Sequence, residues 1–339
     1  MRRVAALLAA VLGGLAFAGC GNGAEPGAPQ GATLVLDFQP NAVHSGLYAA
    51  EARGHFEDEG VDLEIREPSS TADGAKLLEA GRADFAILDI NDFGLARERG
   101  LDIVAIAAIV QRPLASVIAA DRDQIRAPAD LRGKKIGVTG VPSDDAVLDT
   151  VLAEGGVTAG EVERQRIGFE SVRLLAAGKV DAATAFWNAE GVALRGQAIP
   201  IREFRVDDFG APRYPELVLV TSPEHVIAEP ARASLACDAV RAMEGGYGEL
   251  GSDPESALED LLATAPELEP GSQRAQLAAL AEASAFSSVG TSPPSSRLHP
   301  PAVEGWIDWA TRNGLLDRGG EGVPVARGFR FDLADACFD

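Results

Sequence analysis

Short apolar runs alternate with helical segments that stop at glycine, and this alternation recurs from residue 33 to residue 186. Thr33-Leu34-Val35-Leu36-Asp37-Phe38 reads as a buried strand, Pro40-Asn41 as a turn, and Ser45 to Arg53 as a helix ended by Gly54. Val61 to Ile65 alternates in the manner of a half-buried strand. Asp73 to Ala80 is a helix closed by Gly81, Asp84 to Leu88 a strand, Asn91 to Arg99 a helix closed by Gly100, and Ile103 to Val110 a strand. Such alternation argues for a parallel α/β sheet covered by helices. A second set follows: strands at Val117–Ala120, Lys135–Val138, Val162–Ile167 and Asp181–Phe186, helices at Asp144–Leu152 and Glu170–Ala177, the latter closed by Gly178. Leu217 to Thr221 is an apolar strand able to run back to the first unit, and helices make up most of the chain from about Glu229. Thr291 to Pro301 reads as a Pro/Ser-rich loop, and Trp306 and Trp309, three apart on a helix, as core or lobe-packing residues.

Two α/β units joined by crossing strands imply an α/β fold of two lobes with a central cleft. Lobe 1 is assigned to residues 33–116 and 222–339, lobe 2 to 117–221. Ligands bind at such interfaces, beyond the carboxyl ends of parallel strands, and closure about the hinge traps them.

Residues 1–20 have the form of an export signal: Arg2 and Arg3, then an apolar run from Val4 to Phe17 too short to span a bilayer. Ala18-Gly19-Cys20 matches a lipobox except that Phe17 stands where Leu is usual. Cys20 is therefore the expected acylation site, and residues 21–32 the flexible linker of a protein tethered to the extracytoplasmic face of the cell membrane. The plainer alternative is an ordinary signal peptide that contains a cysteine. With a net charge of −21 and no basic patch, nucleic acid is not an expected partner. Cys237 and Cys337 either form one disulfide or stay as separate thiols. The four histidines are scattered and no CxxC occurs, so neither a metal nor another cofactor is expected.

A small-molecule cleft needs apolar walls and a few convergent polar contacts. Phe38, Tyr48, Phe186 and Trp187 are candidate faces; core packing is the commoner fate of each alone, but Phe38 and Phe186 each end a strand, while Trp187 fits behind the site. Glu190, just after a strand, can accept two N–H bonds from an amino-substituted ring, or simply favour a helix N-terminus. Asn41 reads as a helix cap, and His44 is placed either to donate to a ligand or to serve structure. Asp89 faces the cleft while Asn91 or Asp92 caps the next helix, and Ser143 lies at a strand-to-helix loop where Asp144 and Asp145 oppose an anion.

The segment Leu36 to Ala50, with Phe38, Gln39, Asn41 and His44, resembles the opening strand and helix of the NMT1/THI5-like (SsuA/THI5) solute-binding proteins. Gly81-Arg82-Ala83-Asp84-Phe85 is similar to that family's G-x-x-D-F strand, and Pro128 to Val138 to the PADLKGKKIGV signature of type II periplasmic binding proteins. Phe186-Trp187-Asn188-Ala189-Glu190-Gly191 resembles the YWNxEG motif of the pyrimidine-precursor binders. The resemblance, over roughly residues 33–225, implies the type II periplasmic-binding-protein fold, no catalysis, a monomer, and an ABC transporter permease as partner. It also implies a thiamine-pyrimidine precursor as ligand, formylaminopyrimidine or hydroxymethylpyrimidine, held by Glu190 and stacked on aromatics. Phe186 stands where relatives have Tyr and Phe38 where they often have Trp. Riboflavin or another aromatic heterocycle is the alternative within the class. An exported hydrolase using Ser143, His44 and Asp89 is the alternative outside it, and it lacks a G-x-S-x-G elbow. The eukaryotic synthases of this fold carry a cysteine-rich motif that is missing here.

Overall fold

The structure, a computed structural model, describes residues 29–120, 125–226, 235–287, 295–317 and 324–338. The expected signal segment, Cys20 and most of the linker lie outside the described residues, as do residues 291–294 of the loop expected at 291–301.

Ten strands form two five-stranded sheets. The first contains β1 (Gln30–Val35), β2 (Val61–Arg66), β3 (Phe85–Asp89), β4 (Val104–Val110) and β10 (Leu217–Thr221), in the order β2-β1-β3-β10-β4. The second contains β5 (Ala115–Ala120), β6 (Lys135–Val138), β7 (Glu163–Arg166), β8 (Ala182–Phe186) and β9 (Ile201–Arg205), in the order β7-β6-β8-β5-β9. Each sheet has one intruder in the fourth place. β10 runs antiparallel to both β3 and β4, and β5 antiparallel to both β8 and β9. The sheets are therefore mixed rather than purely parallel. The cause is topological: each intruding strand enters from the other lobe, so it reaches its sheet running the opposite way.

Three boundaries read from sequence shift accordingly. β10 pairs in the first sheet, so residues 217–221 belong with lobe 1 rather than lobe 2, and β5 opens the second sheet at Ala115 rather than at 117. β1 begins at Gln30, inside the stretch assigned to the linker, because Gln30 to Ala32 pair with Val61 to Leu63. A parallel ladder there supplies what the weak strand propensity of Gln-Gly-Ala does not. At the other end Leu36 to Phe38 leave the strand and turn toward the cleft.

The helices are α1 (Ser45–Ala52), α2 (His55–Asp58), α3 (Asp73–Glu79), α4 (Ile90–Glu98), α5 (Asp144–Glu154), α6 (Ser171–Ala176), α7 (Glu190–Gly196), α8 (Leu235–Ser252), α9 (Pro254–Thr264), α10 (Pro270–Glu282), α11 (Pro300–Arg312) and α12 (Phe331–Phe338). α3 and α4 stop where the chain must adopt positive φ, at Gly81 (60°) and Gly100 (93°), a conformation that glycine adopts without strain. Along β3, Phe85 and Ile87 enter one apolar cluster while Ala86 and Leu88 enter another, so helices cover both faces of the sheet. The second sheet is covered likewise: Val117 and Ala119 face one cluster, Ile118 and Ala183 the other.

The lobes are held together at several points. The chain crosses at residues 111–114 and again at 206–216, and Arg112 of the first crossing donates to Asp207 (2.8 Å) and Asp208 (3.1 Å) of the second. Trp309 of α11 is buried, stacks on Tyr214 (centroids 5.5 Å apart) and donates through Nε1 to Thr150 Oγ1 of α5 in the other lobe (2.9 Å). Trp306 donates to Asn91 Oδ1 (2.9 Å) inside lobe 1.

Cys237 of α8 and Cys337 of α12 form a disulfide across 100 residues, which settles the question their sequence left open. A bridge closing a loop of that length contributes about 4–5 kcal/mol in the chain-entropy account. Cys237→Ser with Cys337→Ser is expected to lower the stability of the folded chain by about 2–5 kcal/mol in denaturant titration. Ligand affinity should be nearly unchanged, because neither cysteine lines the cleft.

Candidate functional site

A cavity of ≈ 310 Å³ lies between the lobes. Its walls are strand ends and the first turns of the helices that follow. β1 leads into Asp37, Phe38 and Asn41; β3 into Asp89, Asn91 and Asp92; β6 into Thr139, Val141, Ser143 and Asp144; β7 into Phe169 and Ser171; β8 into Phe186, Asn188, Ala189 and Glu190. Leu114, Ala115, Glu216 and Leu217, from the crossings and the strands they feed, form the back.

Of the residues singled out by sequence, Phe38, Asn41, Asp89, Ser143, Phe186 and Glu190 line this cavity. Gln39, His44 and Trp187 do not, and neither does Tyr48. Gln39 is exposed, and its carbonyl accepts from Asn41 Nδ2 (3.0 Å). His44 is buried under the opening turn: its Nδ1 accepts from the Asn41 amide (3.2 Å), so the proton sits on Nε2 and is donated to Asp37 Oδ1 (2.8 Å). It thus orients Asp37, which does face the cavity, instead of facing a ligand itself. Trp187 is buried behind the site, donating through Nε1 to the Pro113 carbonyl (2.9 Å) with the Arg205 guanidinium 4.1 Å from its ring centre. Tyr48 packs in the core on α1. With His44 turned away, the Ser143–His44–Asp89 arrangement of a hydrolase is not assembled: the histidine is hydrogen-bonded to Asn41 and Asp37.

The polar lining has one sign. Asp37, Asp89, Asp92, Asp144, Glu190 and Glu216 all face the cavity, and no Lys, Arg or His is among its lining residues. Asp144, at the first turn of α5, accepts from Thr139 Oγ1 (2.9 Å), the Gly140 amide and Thr184 Oγ1 (2.7 Å). A carboxylate thus stands at the first turn of α5, bonded to the preceding loop and to β8, where its charge opposes an anion. Glu190 accepts from the Phe186 amide through Oε2 (2.9 Å), and burial raises its pKa above the usual carboxylate value.

Glu216 and Asp89 sit side by side at the back. β10 and β3 pair Leu217 with Asp89, and the Ile90 amide donates to the Glu216 carbonyl (2.9 Å). Glu216 is fully buried and its Oε2 accepts from the Leu114 amide (2.8 Å). Burial, with repulsion from Asp207, pushes it up to about 7. Burial and then the charge of Glu216 hold Asp89 well above its usual value, and burial, reinforced by Asp37 and opposed by Arg99, takes Asp92 up to about 6. Among the described residues no cluster of three or more His, Cys, Asp or Glu is arranged to hold a metal ion.

At the mouth, Phe38 of lobe 1 meets Phe169 of lobe 2 with ring centroids 5.9 Å apart. They are the exposed large hydrophobic side chains of the described residues, at 43% and 65% exposure. Phe169 was not singled out in sequence, although it follows a strand end just as Phe38 and Phe186 do. Glu216 was missed as well; its one signal is a carboxylate set directly against the apolar run 217–221. Asn188, buried inside the FWNAEG motif with its Oδ1 lacking a partner among the described residues, lines the cavity too.

A family model described as NMT1/THI5 like matches residues 41–257. The formylaminopyrimidine-binding protein of Halalkalibacterium halodurans is 33% identical over 230 residues, covering 68% of this chain and 69% of that protein. The 4-amino-5-hydroxymethyl-2-methylpyrimidine phosphate synthase THI5 of Saccharomyces cerevisiae is 26% identical over 151 residues, 44% of each chain. Among solved structures, the alkanesulfonate-binding protein SsuA of Xanthomonas axonopodis pv. citri, bound to MOPS, superposes with a TM-score of 0.66 at 18% identity, over 90% of this chain and 99% of that one. The fold is thus the two-lobed periplasmic-binding-protein fold.

Because Glu216 binds a proton more tightly when folded than in the unfolded chain, the folded state holds protons that the unfolded chain has released between about pH 4.5 and pH 7. Its burial therefore subtracts stability as pH rises through that window. Glu216→Gln keeps an acceptor for Leu114 and removes the titration. Its stability relative to the parent is expected to rise by up to about 3 kcal/mol between pH 4.5 and pH 8, measured by denaturant titration at each pH.

Proposed function

Because the chain belongs to the NMT1/THI5-like family, we propose that it is an extracytoplasmic solute-binding protein of an ABC importer whose ligand is a thiamine-pyrimidine precursor, formylaminopyrimidine or hydroxymethylpyrimidine. The observation that carries the ligand class is the cavity's polar lining, with six carboxyl side chains and no basic one. Such a site attracts amino-substituted, neutral or cationic rings and repels anions. The relative that binds formylaminopyrimidine is in keeping with it. The alkanesulfonate binder shares the fold, but Asp144 occupies the helix terminus here and opposes a sulfonate.

In this reading Glu190 accepts from the ring's amino group, one carboxylate oxygen being already steadied by the Phe186 amide. Phe38 and Phe169 close on the two sides of the mouth, and Phe186 supplies an apolar wall. A volume of ≈ 310 Å³ sits at the small end of ligand pockets and suits a single substituted ring. The protein binds and hands over its ligand without transforming it. Cys20 carries the lipid that keeps it at the membrane beside the permease; Cys20→Ser is expected to release the protein from the membrane fraction into the soluble one. Retention of that variant in the membrane would remove the anchor from the scheme.

Calorimetry on the domain lacking residues 1–20 is expected to show binding of one or both pyrimidines and none of an alkanesulfonate. Glu190→Ala should weaken binding at least 100-fold, the cost of about 3 kcal/mol for losing a buried charge-assisted contact. No heat with either pyrimidine would sink the ligand assignment, and a yellow preparation with flavin absorbance would replace it with riboflavin.

A further inference from the structure

Asp89 and Glu216 bring two carboxyls together in the cavity wall with no cation beside them among its lining residues. Glu216 is fully buried and Asp89 half-buried, and they lie at neighbouring strand ends joined by the Ile90–Glu216 backbone bond. Asp89 Oδ1 accepts from the Asn91 amide (2.7 Å) and Glu216 Oε2 from the Leu114 amide (2.8 Å). Glu216 Oε1 is left buried with no donor among the described residues, on a side chain with zero exposure. Asp92 of α4 and Asp207 of the second crossing add negative charge to the pair, and the Tyr214 phenol lies within their field. The nearby cations are engaged elsewhere, Arg112 by Asp207 and Asp208. Arg99 exerts its pull on Asp92. Like charges in such a place cannot both remain ionised.

We propose that Asp89 and Glu216 hold one proton between them and that this proton is the hydrogen-bond donor by which the back of the cleft recognises an acceptor atom of the bound ring, such as a ring nitrogen or a carbonyl oxygen. The inference rests on the aminopyrimidine reading and refines it. Glu190 accepts at one side of the ligand and the protonated pair donates at another, so the site reads an amino group and an acceptor together. A ring with donors alone, or with a phosphate, satisfies only half of that pattern. Binding then becomes proton-linked with a definite sign. Raising the pH removes the donor and leaves a carboxylate facing the ligand's acceptor, so affinity falls. Ionisation of Glu190 acts in the opposite sense, because it strengthens an acceptor.

The test has two independent readouts. Infrared difference spectra of the ligand-free protein at pH 7 should show the C=O stretch of a neutral carboxyl in the parent, lost in the double variant Asp89→Asn with Glu216→Gln. Calorimetry with hydroxymethylpyrimidine and formylaminopyrimidine should show the parent's affinity falling at least about tenfold between pH 6 and pH 8.5, as expected for losing a buried hydrogen bond to a charged group. The pH profile of the double variant Asp89→Asn with Glu216→Gln should lack that fall, since neither position then titrates and an amide donates at every pH. Absence of the neutral-carboxyl band in the parent overturns the proposal whatever binds. So does an equal pH slope in parent and variant. A protein that shows the band but binds neither pyrimidine upholds the shared proton and overturns the ligand reading instead.

Discussion

Everything in the site depends on the two passages of chain between the lobes and on how they are joined. Arg112 in the first passage is claimed by Asp207 and Asp208 in the second. The Glu216 carboxylate, at the end of the second, accepts from the Leu114 amide at the end of the first. The strands these passages feed, β5 and β10, are the ones inserted antiparallel into each sheet. A hinge so constructed does more than permit closure. It brings polar backbone and buried carboxyls to the back wall, where neither sheet alone would place them, because the ends of parallel strands point their chains outward toward helices.

From that wall outward the cavity is electrostatically uniform. Each lobe contributes acidic side chains at its strand ends, and the basic residues are spent elsewhere: Arg205 over Trp187, Arg195 on Glu203, Arg164 on Asp145 and Asp149. The same fold in other proteins accepts sulfonates. In this chain Asp144, at the start of α5, takes the hydroxyls of Thr139 and Thr184 and the Gly140 amide for itself, and its charge opposes an anion there.

Much of this was legible from the chain alone, and the reason is local. Period-two apolar runs and glycine stops are written within a few residues, so β3, α4 and β8 could be placed before any packing was known. Phe38 and Phe186 were legible because they stand at strand ends, and Glu190 because it lies in a motif that resembles one of the pyrimidine-precursor binders; all three line the cavity. What could not be read was anything set by contacts far apart in sequence. His44 is separated from the cavity by its bond to Asp37, a matter of how one turn tilts. Phe169 acquires meaning only when Phe38 arrives from the other lobe, 131 positions earlier in the chain. β10 looks like any apolar strand until its neighbours β3 and β4 are known.

Glu216 shows why such long-range features matter most for function. A glutamate beside an apolar strand reads as a solvated end, the common outcome for that residue type. Here the strand follows a crossing between two lobes, so its start is a fully buried part of the cleft wall. Burying a carboxylate costs several kcal/mol unless it is paired or protonated. The fold supplies one amide, from Leu114, and a second acid, Asp89, rather than a cation. An arrangement this unfavourable for stability alone persists most readily where a bound molecule completes it. In the proposed reading, the chemical selectivity of the cleft lies where the chain crosses between the lobes, because the bound ring completes the polar set that the fold leaves open there.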